Sequence, residues 1–414
     1  MDELAQIVGK NTVLLREEET TCHEVYPSSV EEIQVVLKMA SGQNRTVHWK
    51  VGKSDSGLKK PYTDGDIVIN TSAMKRIVEV NEASRYAVVE PGVTHEDLSL
   101  CLEEYHPGLM HCLKASSPGE SIIDTALGCG KNSLSALYGA AAGMIQGLEV
   151  VLPDSTVCKI GSCSASPLWF AGGPLPEVRG LFLNRNGVSG IITKLSLRLF
   201  PAPRHKEVVI YTLKDPGILP EVIERATHPE MADQVGITGK EIPSYMKGVI
   251  VVSLHLSGAT QKEVLLKKEV FKNLFTSKKV IYKDNLTGEM QDVIFTNPQS
   301  SLKIFISLER IPDAWVRGAE IIHQNGGKYL FDFSVMDHGR QVLGTMAFAL
   351  PGDGKDTLSK LLENAVIEAG AVVFNTFQEM DPAADGLLKR VRHVIDPNCV
   401  MIPNHTNDCS GRET

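Results

Sequence analysis

The stretch of sequence that decides the fold runs from Tyr138 to Pro203, and its two ends are the informative parts. The first end reads Gly147-Leu-Glu-Val-Val-Leu-Pro-Asp-Ser155, an apolar run that stops at a proline and an aspartate, which predicts a strand closed by a turn. The second end reads Gly187-Val-Ser-Gly-Ile-Ile-Thr-Lys-Leu-Ser-Leu-Arg-Leu-Phe-Pro-Ala-Pro203 and predicts a half-buried strand that follows two glycines. A glycine-flanked backbone can lie close against a flat ligand, although at either end alone the glycines could equally serve turns.

Length and composition limit the class of protein. The 414 residues exceed what one hydrophobic core usually holds, so we expect two domains. The net charge of −8 and the lack of a long basic run argue against nucleic acid or an anionic membrane as a partner. No apolar segment is long enough to span a bilayer, and the acidic start lacks the features of a signal peptide. We therefore expect a cytoplasmic protein.

The eight cysteines form no Cys-x-x-Cys pair. Zinc and iron–sulfur sites need tighter clusters of ligands, so we predict no metal. In a cytoplasmic protein the thiols are expected to be reduced and mostly structural.

The first half of the chain has an α+β pattern. Residues 1–26 are polar and predict a short helix with a loop, whereas residues 27–40 predict a helix that begins at Ser28 or Ser29. Another helix is expected to begin near Thr94. No Gly-x-Gly-x-x-Gly follows a strand, so the Rossmann fingerprint is absent. Strands are predicted at 46–51, 66–70, 77–80 and 86–90.

After Pro203 the pattern changes to strands that alternate with helices. Such a pattern predicts an antiparallel sheet with helices on one face. We therefore predict domains at 1–203 and 204–380 and a C-terminal segment at 381–414. The predicted strands are 207–213, 249–256, 303–308, 329–334 and 345–350, and the predicted helices are 218–227, 260–275, 313–324 and 355–369.

Several segments at these spacings resemble the FAD-binding domain of the vanillyl-alcohol oxidase / p-cresol methylhydroxylase family. The resemblance is carried by Met74-Lys-Arg-Ile-Val-Glu-Val-Asn81, Ala87-Val-Val-Glu-Pro-Gly-Val-Thr94, the two ends of the opening stretch and the tail at 396–403. Within that family, the sequence motifs are most similar to those of the 4-alkylphenol oxidising branch. The resemblance implies an FAD-binding domain of two α/β subdomains, a smaller antiparallel cap domain that supplies the substrate pocket, and a C-terminal return to the first domain.

The resemblance also implies the cofactor and the residues that bind it. FAD would accept a hydride from a small organic substrate, and we favour a dehydrogenase that passes electrons to a partner subunit or a soluble acceptor over an oxidase. We expect an oligomer. The residues implied for FAD are Gly52, Lys53, Ser54 and Gly57 at the pyrophosphate, Pro91, Gly92, Val93, Gly187, Gly190 and Ile191 along the adenine-ribityl portion, and Asn404 in the tail.

The chain departs from the family pattern where substrate chemistry is defined. The phosphate loop has fewer glycines, and the active-site tyrosine, an acidic residue near the flavin and a C-terminal Tyr-Arg pair have no counterpart. A second function therefore stays open: a degenerate, non-catalytic subunit that pairs with an active flavoprotein or an electron-transfer subunit.

His338-Gly339-Arg340 is the candidate catalytic group, because a histidine can act as acid or base and an arginine can bind a carboxylate. The alternative is a polar hairpin turn. His405, Cys129 and His111 could anchor a covalent flavin or be ordinary loop residues.

Overall fold

The structure, a computed structural model, describes residues 4, 8, 12–17, 20–52, 64–128, 130–173, 175–185, 190–240, 249–275, 279–283, 300–351, 354–373 and 381–401. The chain divides into two compact units. The first comprises Met1–Gly130, Ala141–Ala202 and Glu379–Thr414, and the second comprises Lys131–Ala140 and Pro203–Gln378.

The strands of the described residues follow in chain order. They are β1 Thr12–Glu17, β2 Thr20–Val25, β3 Val47–Lys50, β4 Ile67–Asn70, β5 Ile77–Asn81, β6 Tyr86–Val89, β7 Leu109–Met110, β8 Ile145–Val151, β9 Val157–Gly161, β10 Ile191–Arg198, β11 Phe200–Pro201, β12 His205–Leu213, β13 Gln234–Lys240, β14 Val249–Gly258, β15 Ile281–Lys283, β16 Ser300–Ser307, β17 Lys328–Met336, β18 Gln341–Ala349 and β19 Val372–Val373.

The α-helices of the same residues connect these strands. They are α1 Val30–Gly42, α2 His95–Tyr105, α3 Ile122–Leu127, α4 Ser135–Tyr138, α5 Leu219–Thr227, α6 Gln261–Lys272, α7 Ile311–Gln324, α8 Lys355–Glu368 and α9 Pro382–Ile395.

The first unit contains a mixed four-stranded sheet in the order β1-β2-β4-β3. Helix α1 begins as predicted, because the Ser29 side chain accepts a hydrogen bond from the backbone N–H of Glu32. One face of the helix is fully buried against Ile67 and Ile69 of the sheet. At the sheet edge, the Val47 N–H donates to the Val400 carbonyl at 2.7 Å, so the C-terminal segment covers strand β3. The buried helix residues are Ile33, Val36, Leu37 and Ala40.

Residues 1–26 contain two strands that the prediction of a short helix with a loop missed, whereas Leu4 is helical. Strands β1 and β2 form an antiparallel pair there, and β2 lies inside the sheet. In Thr20–Val25 the buried Cys22 alternates with partly exposed neighbours, the period of two that favours a strand. The polarity of the segment hid this alternation.

A second, antiparallel sheet of the first unit has the order β5-β6-β10-β8-β9. The two ends of the opening stretch form its neighbouring strands β8 and β10, with Ile191 opposite Val151. Strand β10 is not half-buried as predicted, because Ser196 is also buried and donates its hydroxyl to the Trp169 carbonyl at 2.7 Å. A hydrogen bond of this kind removes the cost of burying a hydroxyl, so the alternation of residue types did not report exposure.

The second unit is an eight-stranded sheet in the order β15-β12-β14-β13-β17-β18-β16-β19, whose pairs are all antiparallel. Helices α5, α6, α7 and α8 share one apolar core with one face of this sheet, as predicted. Strand β13 was missed, since Gly236 and Gly239 weaken the strand pattern of its sequence. Gly239 is needed there, because a Cβ atom would lie 2.2 Å from the Trp315 ring.

The expectation that the cysteines are reduced is wrong for Cys399, which is disulfide-bonded. Sequence spacing does not show which thiols the fold brings together. Among the described cysteines, Cys22, Cys101, Cys112, Cys158 and Cys163 form no disulfide bond. Within the described part of the chain, no helix combines the length and the apolar character needed to cross a membrane.

Candidate functional site

The carboxyl ends of three parallel strands meet at one end of the four-stranded sheet. Strands β2 and β3 each pair in parallel with β4, so that Val25, Lys50 and Asn70 end the three strands side by side. In open α/β sheets, ligands bind in the crevice outside the carboxyl ends of parallel strands. This end of the sheet is therefore the candidate cofactor site of the first unit.

Asn70 fixes the backbone where the chain leaves this end of the sheet. Its side chain is buried, and its Oδ1 accepts hydrogen bonds from the N–H groups of Gly52 and Ser72, both at 3.1 Å. Its Nδ2 donates to the Gly52 carbonyl at 3.1 Å and to Glu24 Oε1 at 2.7 Å. One amide thus joins the loop after β3, the turn after β4 and strand β2.

A buried ion pair lies beside Asn70. Lys50 Nζ is 2.8 Å from Glu24 Oε1, and their side chains are 13% and 4% exposed. Because a buried charge is costly without its partner, this pair fixes the relative position of β2 and β3. Burial and the neighbouring Glu24 carboxylate raise the pKa of the Tyr26 hydroxyl, which therefore stays protonated and can act as a donor.

Gly52 is suited to a close ligand. Its φ is +64°, a conformation that glycine adopts without strain, and no atom of the other described residues lies within 4 Å of the position of an added Cβ. The backbone is therefore open to a flat or charged group at this point. The N–H of Gly52 is already bonded to Asn70, so donors for a pyrophosphate must come from elsewhere. The predicted donors Lys53, Ser54 and Gly57 lie outside the described residues.

The predicted contacts Pro91, Gly92 and Val93 are all buried by the protein itself. An added Cβ on Gly92 would lie 2.3 Å from the Ser72 carbonyl oxygen, so close packing of two backbone segments requires this glycine. The N–H groups of Gly92 and Val93 donate to the carbonyls of Met74 and Glu90 at 2.7 and 3.1 Å. This segment therefore packs against the turn that follows β4, and its contact with a cofactor stays a prediction.

Strand β10 begins at Ile191, directly after Gly190. An added Cβ on Gly190 would lie 2.7 Å from Val150 Cγ1, and the Ile191 side chain lies in the core shared with helix α1. Packing within the unit explains both residue types, so their predicted contact with FAD also stays a prediction. Gly187 and Asn404 lie outside the described residues, as do Cys129 and His405.

A buried polar chain in the first unit was missed by the sequence analysis. His95 Nε2 lies 2.8 Å from Thr125 Oγ1, and the Thr125 hydroxyl donates to Glu120 Oε1 at 2.8 Å. His111 lies beside His95, with ring centroids 5.5 Å apart, and its Nε2 is 2.9 Å from Ser99 Oγ. Histidines this far apart in the sequence gave no signal, because only the fold brings them together.

The imidazoles of His95 and His111 are both neutral at neutral pH. Burial lowers the pKa of His95, and burial together with the nearby His95 lowers the pKa of His111 to about 4. The Ser99 and Thr125 hydroxyls satisfy one ring nitrogen each without adding charge. Nothing in these contacts marks His111 as the flavin anchor that the sequence left open.

The candidate catalytic group lies on the hairpin between β17 and β18 of the second unit. Asp337, His338 and Gly339 all have positive φ values, of 50°, 55° and 88°. His338 is 41% exposed with its Nδ1 3.6 Å from Glu230 Oε1, and Arg340 is 78% exposed beside Asp337. This pairing favours the alternative interpretation, a polar hairpin turn, and the catalytic role stays a prediction.

Known proteins resemble both the sequence and the fold of this chain. Residues 23–161 match a family model described as an FAD binding domain. The structure resembles that of p-cresol methylhydroxylase with a TM-score of 0.75 at 17% identity, over 98% of this chain and 94% of that protein. The chain has the FAD-binding fold of the p-cresol methylhydroxylase type. The predicted α+β fold and FAD as the cofactor are thereby confirmed.

Several curated relatives match just under half of this FAD-binding chain. It is 29% identical to 1'-carboxy-chondrochloren decarboxylase of Chondromyces crocatus, over 46% of this chain and 36% of the relative. It is 30% identical to the mitochondrial D-lactate dehydrogenase [cytochrome] of Arabidopsis thaliana, over 46% of this chain and 33% of the relative. The matches thus span about a third of these two proteins. An uncharacterized FAD-linked oxidoreductase of Mycobacterium tuberculosis is 24% identical over 91% of this chain and 89% of the relative.

Proposed function

We propose that the protein is an FAD-dependent oxidoreductase that oxidises a small organic substrate. The observation that carries this proposal is the FAD-binding domain at residues 23–161, in which Asn70 holds an open glycine at the carboxyl end of three parallel strands. A relative that matches nearly the full length is described as an uncharacterized FAD-linked oxidoreductase, which agrees with this class of reaction.

The residues of the first unit would hold FAD through backbone and polar contacts. Gly52 offers an open backbone, and the loop that starts there, with Lys53, Ser54 and Gly57, would supply N–H donors for the pyrophosphate. The Glu24–Lys50 pair keeps the base of that loop in place. When bound, FAD supplies the two-electron acceptor that no amino-acid side chain provides.

The electron acceptor and the assembly belong to the same proposal. We favour a dehydrogenase that passes electrons to a partner subunit or a soluble acceptor, in a cytoplasmic oligomer. His338 and Arg340 remain the proposed acid/base and carboxylate-binding groups of the second unit. In the first unit, the proposed FAD contacts are Gly187, Gly190, Ile191 and Asn404.

The absorption spectrum of the purified protein tests the cofactor. We expect a yellow protein with a flavin spectrum that survives gel filtration, and acid precipitation then shows whether the flavin is covalent. Replacement Asn70→Ala should lower the FAD content at least tenfold, because it frees Gly52 from its fixed position. The matched control is Asn325→Ala, at the exposed end of helix α7 in the second unit.

Anaerobic mixing with D-lactate or p-cresol then tests the reaction. Loss of the flavin absorbance with either compound, followed by reoxidation with dichloroindophenol and not with oxygen, is the expected result for a dehydrogenase. A colourless protein that takes up no added FAD would refute the proposal and favour the non-catalytic subunit.

A further inference from the structure

The eight-stranded sheet of the second unit has two chemically different faces. Side chains of neighbouring residues in a strand point to opposite faces. Ile237, Phe331, Phe333 and Met346 belong to the core shared with the helices. Thr238, Asp332 and Thr345 follow or precede these residues directly, so they lie on the opposite face.

A row of polar residues crosses four neighbouring strands on that opposite face. The register places Thr238 of β13 opposite Asp332 of β17, Asp332 opposite Thr345 of β18, and Thr345 opposite Lys303 of β16. Lys303 belongs to this face because the next residue, Ile304, lies in the helix-side core. Adjacent strands are about 5 Å apart, so Asp332 and Lys303 lie about 10 Å apart at the backbone with Thr345 between them. Their side chains can therefore reach one small molecule.

The charges of the row are incompletely paired within the described residues. The Asp332 side chain is 49% exposed, and its Oδ2 accepts from Lys131 Nζ while its Oδ1 has no partner there. A carboxylate oxygen that has no partner can accept a hydrogen bond from a hydroxyl group. Lys303 is exposed and forms no ion pair with a described residue. Within the described residues, an unpaired cation thus lies two strands away from an unpaired carboxylate oxygen.

We propose that this row, comprising Thr238, Asp332, Thr345 and Lys303, binds the substrate and that the substrate is a small hydroxylated carboxylic acid. Lys303 pairs with the substrate carboxylate, Asp332 accepts the hydrogen bond of its hydroxyl, and the Thr345 hydroxyl lies between them. The net charge of Lys131, Asp332 and Lys303 is +1, which suits a monoanion. This inference rests on the proposed oxidoreductase function and specifies its substrate class.

A structural role for the ion pair must be separated from binding. Lys131 belongs to the segment Lys131–Ala140, which packs on β17 through Ser135 as well, with Ser135 Oγ donating to the Val335 carbonyl at 3.0 Å. Lys131→Met removes the ion pair with Asp332, whereas the Asp332 carboxylate remains as a hydrogen-bond acceptor. We expect this variant to be less stable to heat while it keeps its preference for a hydroxyl group.

Calorimetric titration with three probes tests the proposal on the full chain. D-Lactate carries both groups, propanoate lacks the hydroxyl, and propane-1,2-diol lacks the carboxylate. Lys303→Met should weaken D-lactate and propanoate at least tenfold and leave the diol unchanged. Asp332→Asn should weaken D-lactate and the diol at least tenfold and leave propanoate unchanged. The matched control Lys360→Met, exposed on helix α8 at the other face, should change none of the three.

The outcomes separate this inference from the proposed function. FAD content is measured in the same samples, so a protein without flavin contradicts the function. A flavin-loaded protein that binds none of the probes, or whose affinities do not respond to Lys303→Met and Asp332→Asn, overturns the inference alone. An equal loss with Lys360→Met also overturns it, because the effect would then be one of net charge.

Discussion

Replacing His111 should make the protein less sensitive to acid. The unfolded chain binds a proton at an ordinary histidine pKa of 6.5, whereas burial and the neighbouring His95 lower the pKa of His111 to about 4 in the folded state. Between these values the unfolded chain binds more protons, so the folded state loses stability as the pH falls. His111→Gln keeps a partner for Ser99 and removes the titration.

The magnitude follows from the size of the pKa shift. At pH 7.5 the two states bind almost no proton at this site, so the contribution is close to zero. At pH 5 the shift from 6.5 to about 4 costs the folded state about 2 kcal/mol. The loss is complete below pH 4, where it reaches about 3.4 kcal/mol. Burial also lowers the pKa of His95, but the nearby Glu120 carboxylate partly offsets that lowering and so limits the loss at the second imidazole.

Urea unfolding at pH 7.5 and pH 5 measures this difference. Fluorescence of Trp49 and Trp169 reports on the first unit when both proteins carry Trp315→Phe in the second unit. We expect the wild-type protein to lose about 2 kcal/mol more than His111→Gln between the two pH values. The exposed His393, replaced by Gln, is the matched control and should behave as the wild type. Equal losses in the wild type and His111→Gln would refute the reasoning.

Two further substitutions test the support of the cofactor site. Gly92→Ala should lower the melting temperature of the first unit by an amount equivalent to about 3 kcal/mol, since its Cβ would lie 2.3 Å from the Ser72 carbonyl. Gly108→Ala, which meets no atom within 4 Å, is its control, and equal effects would contradict the packing argument. Glu24→Gln should cost about 3 kcal/mol in urea, because Lys50 keeps a buried charge without a partner. Adding Lys50→Met should recover part of that loss, and a further loss would show that the pair is not the cause.

Much of the fold could be predicted because local signals and tertiary packing agree. Helix α1 has a capping serine at its start and an apolar face along its length, and the structure uses both. The strands within residues 1–26 were missed because β2 pairs with β4, which comes later in the chain. Strand β13 was not predicted for a related reason. Its Gly239 leaves space for the ring of Trp315, a residue more than seventy positions further along the chain.

The candidate site was less predictable than the fold. The sequence located Gly52, but the groups that hold it, Glu24 and Asn70, come from strands β2 and β4 and meet only at the end of the sheet. The predicted His338 and Arg340 have suitable chemistry, yet their side chains are exposed on a hairpin and lie beside Glu230 and Asp337. Residue type indicates what a side chain can do, whereas exposure and neighbours decide whether it does so.

The sequence by itself determined the class of the protein: a chain of 414 residues whose glycine-flanked strands, at 147–155 and 187–203, carry an FAD-binding pattern. These motifs are contiguous, so their spacing is readable along the chain. Only the folded chain brings certain separate residues next to each other, among them His95 with His111, and Asp332 with Thr345 and Lys303. Such groups depend on strand register and on burial, and both arise only when distant segments pack.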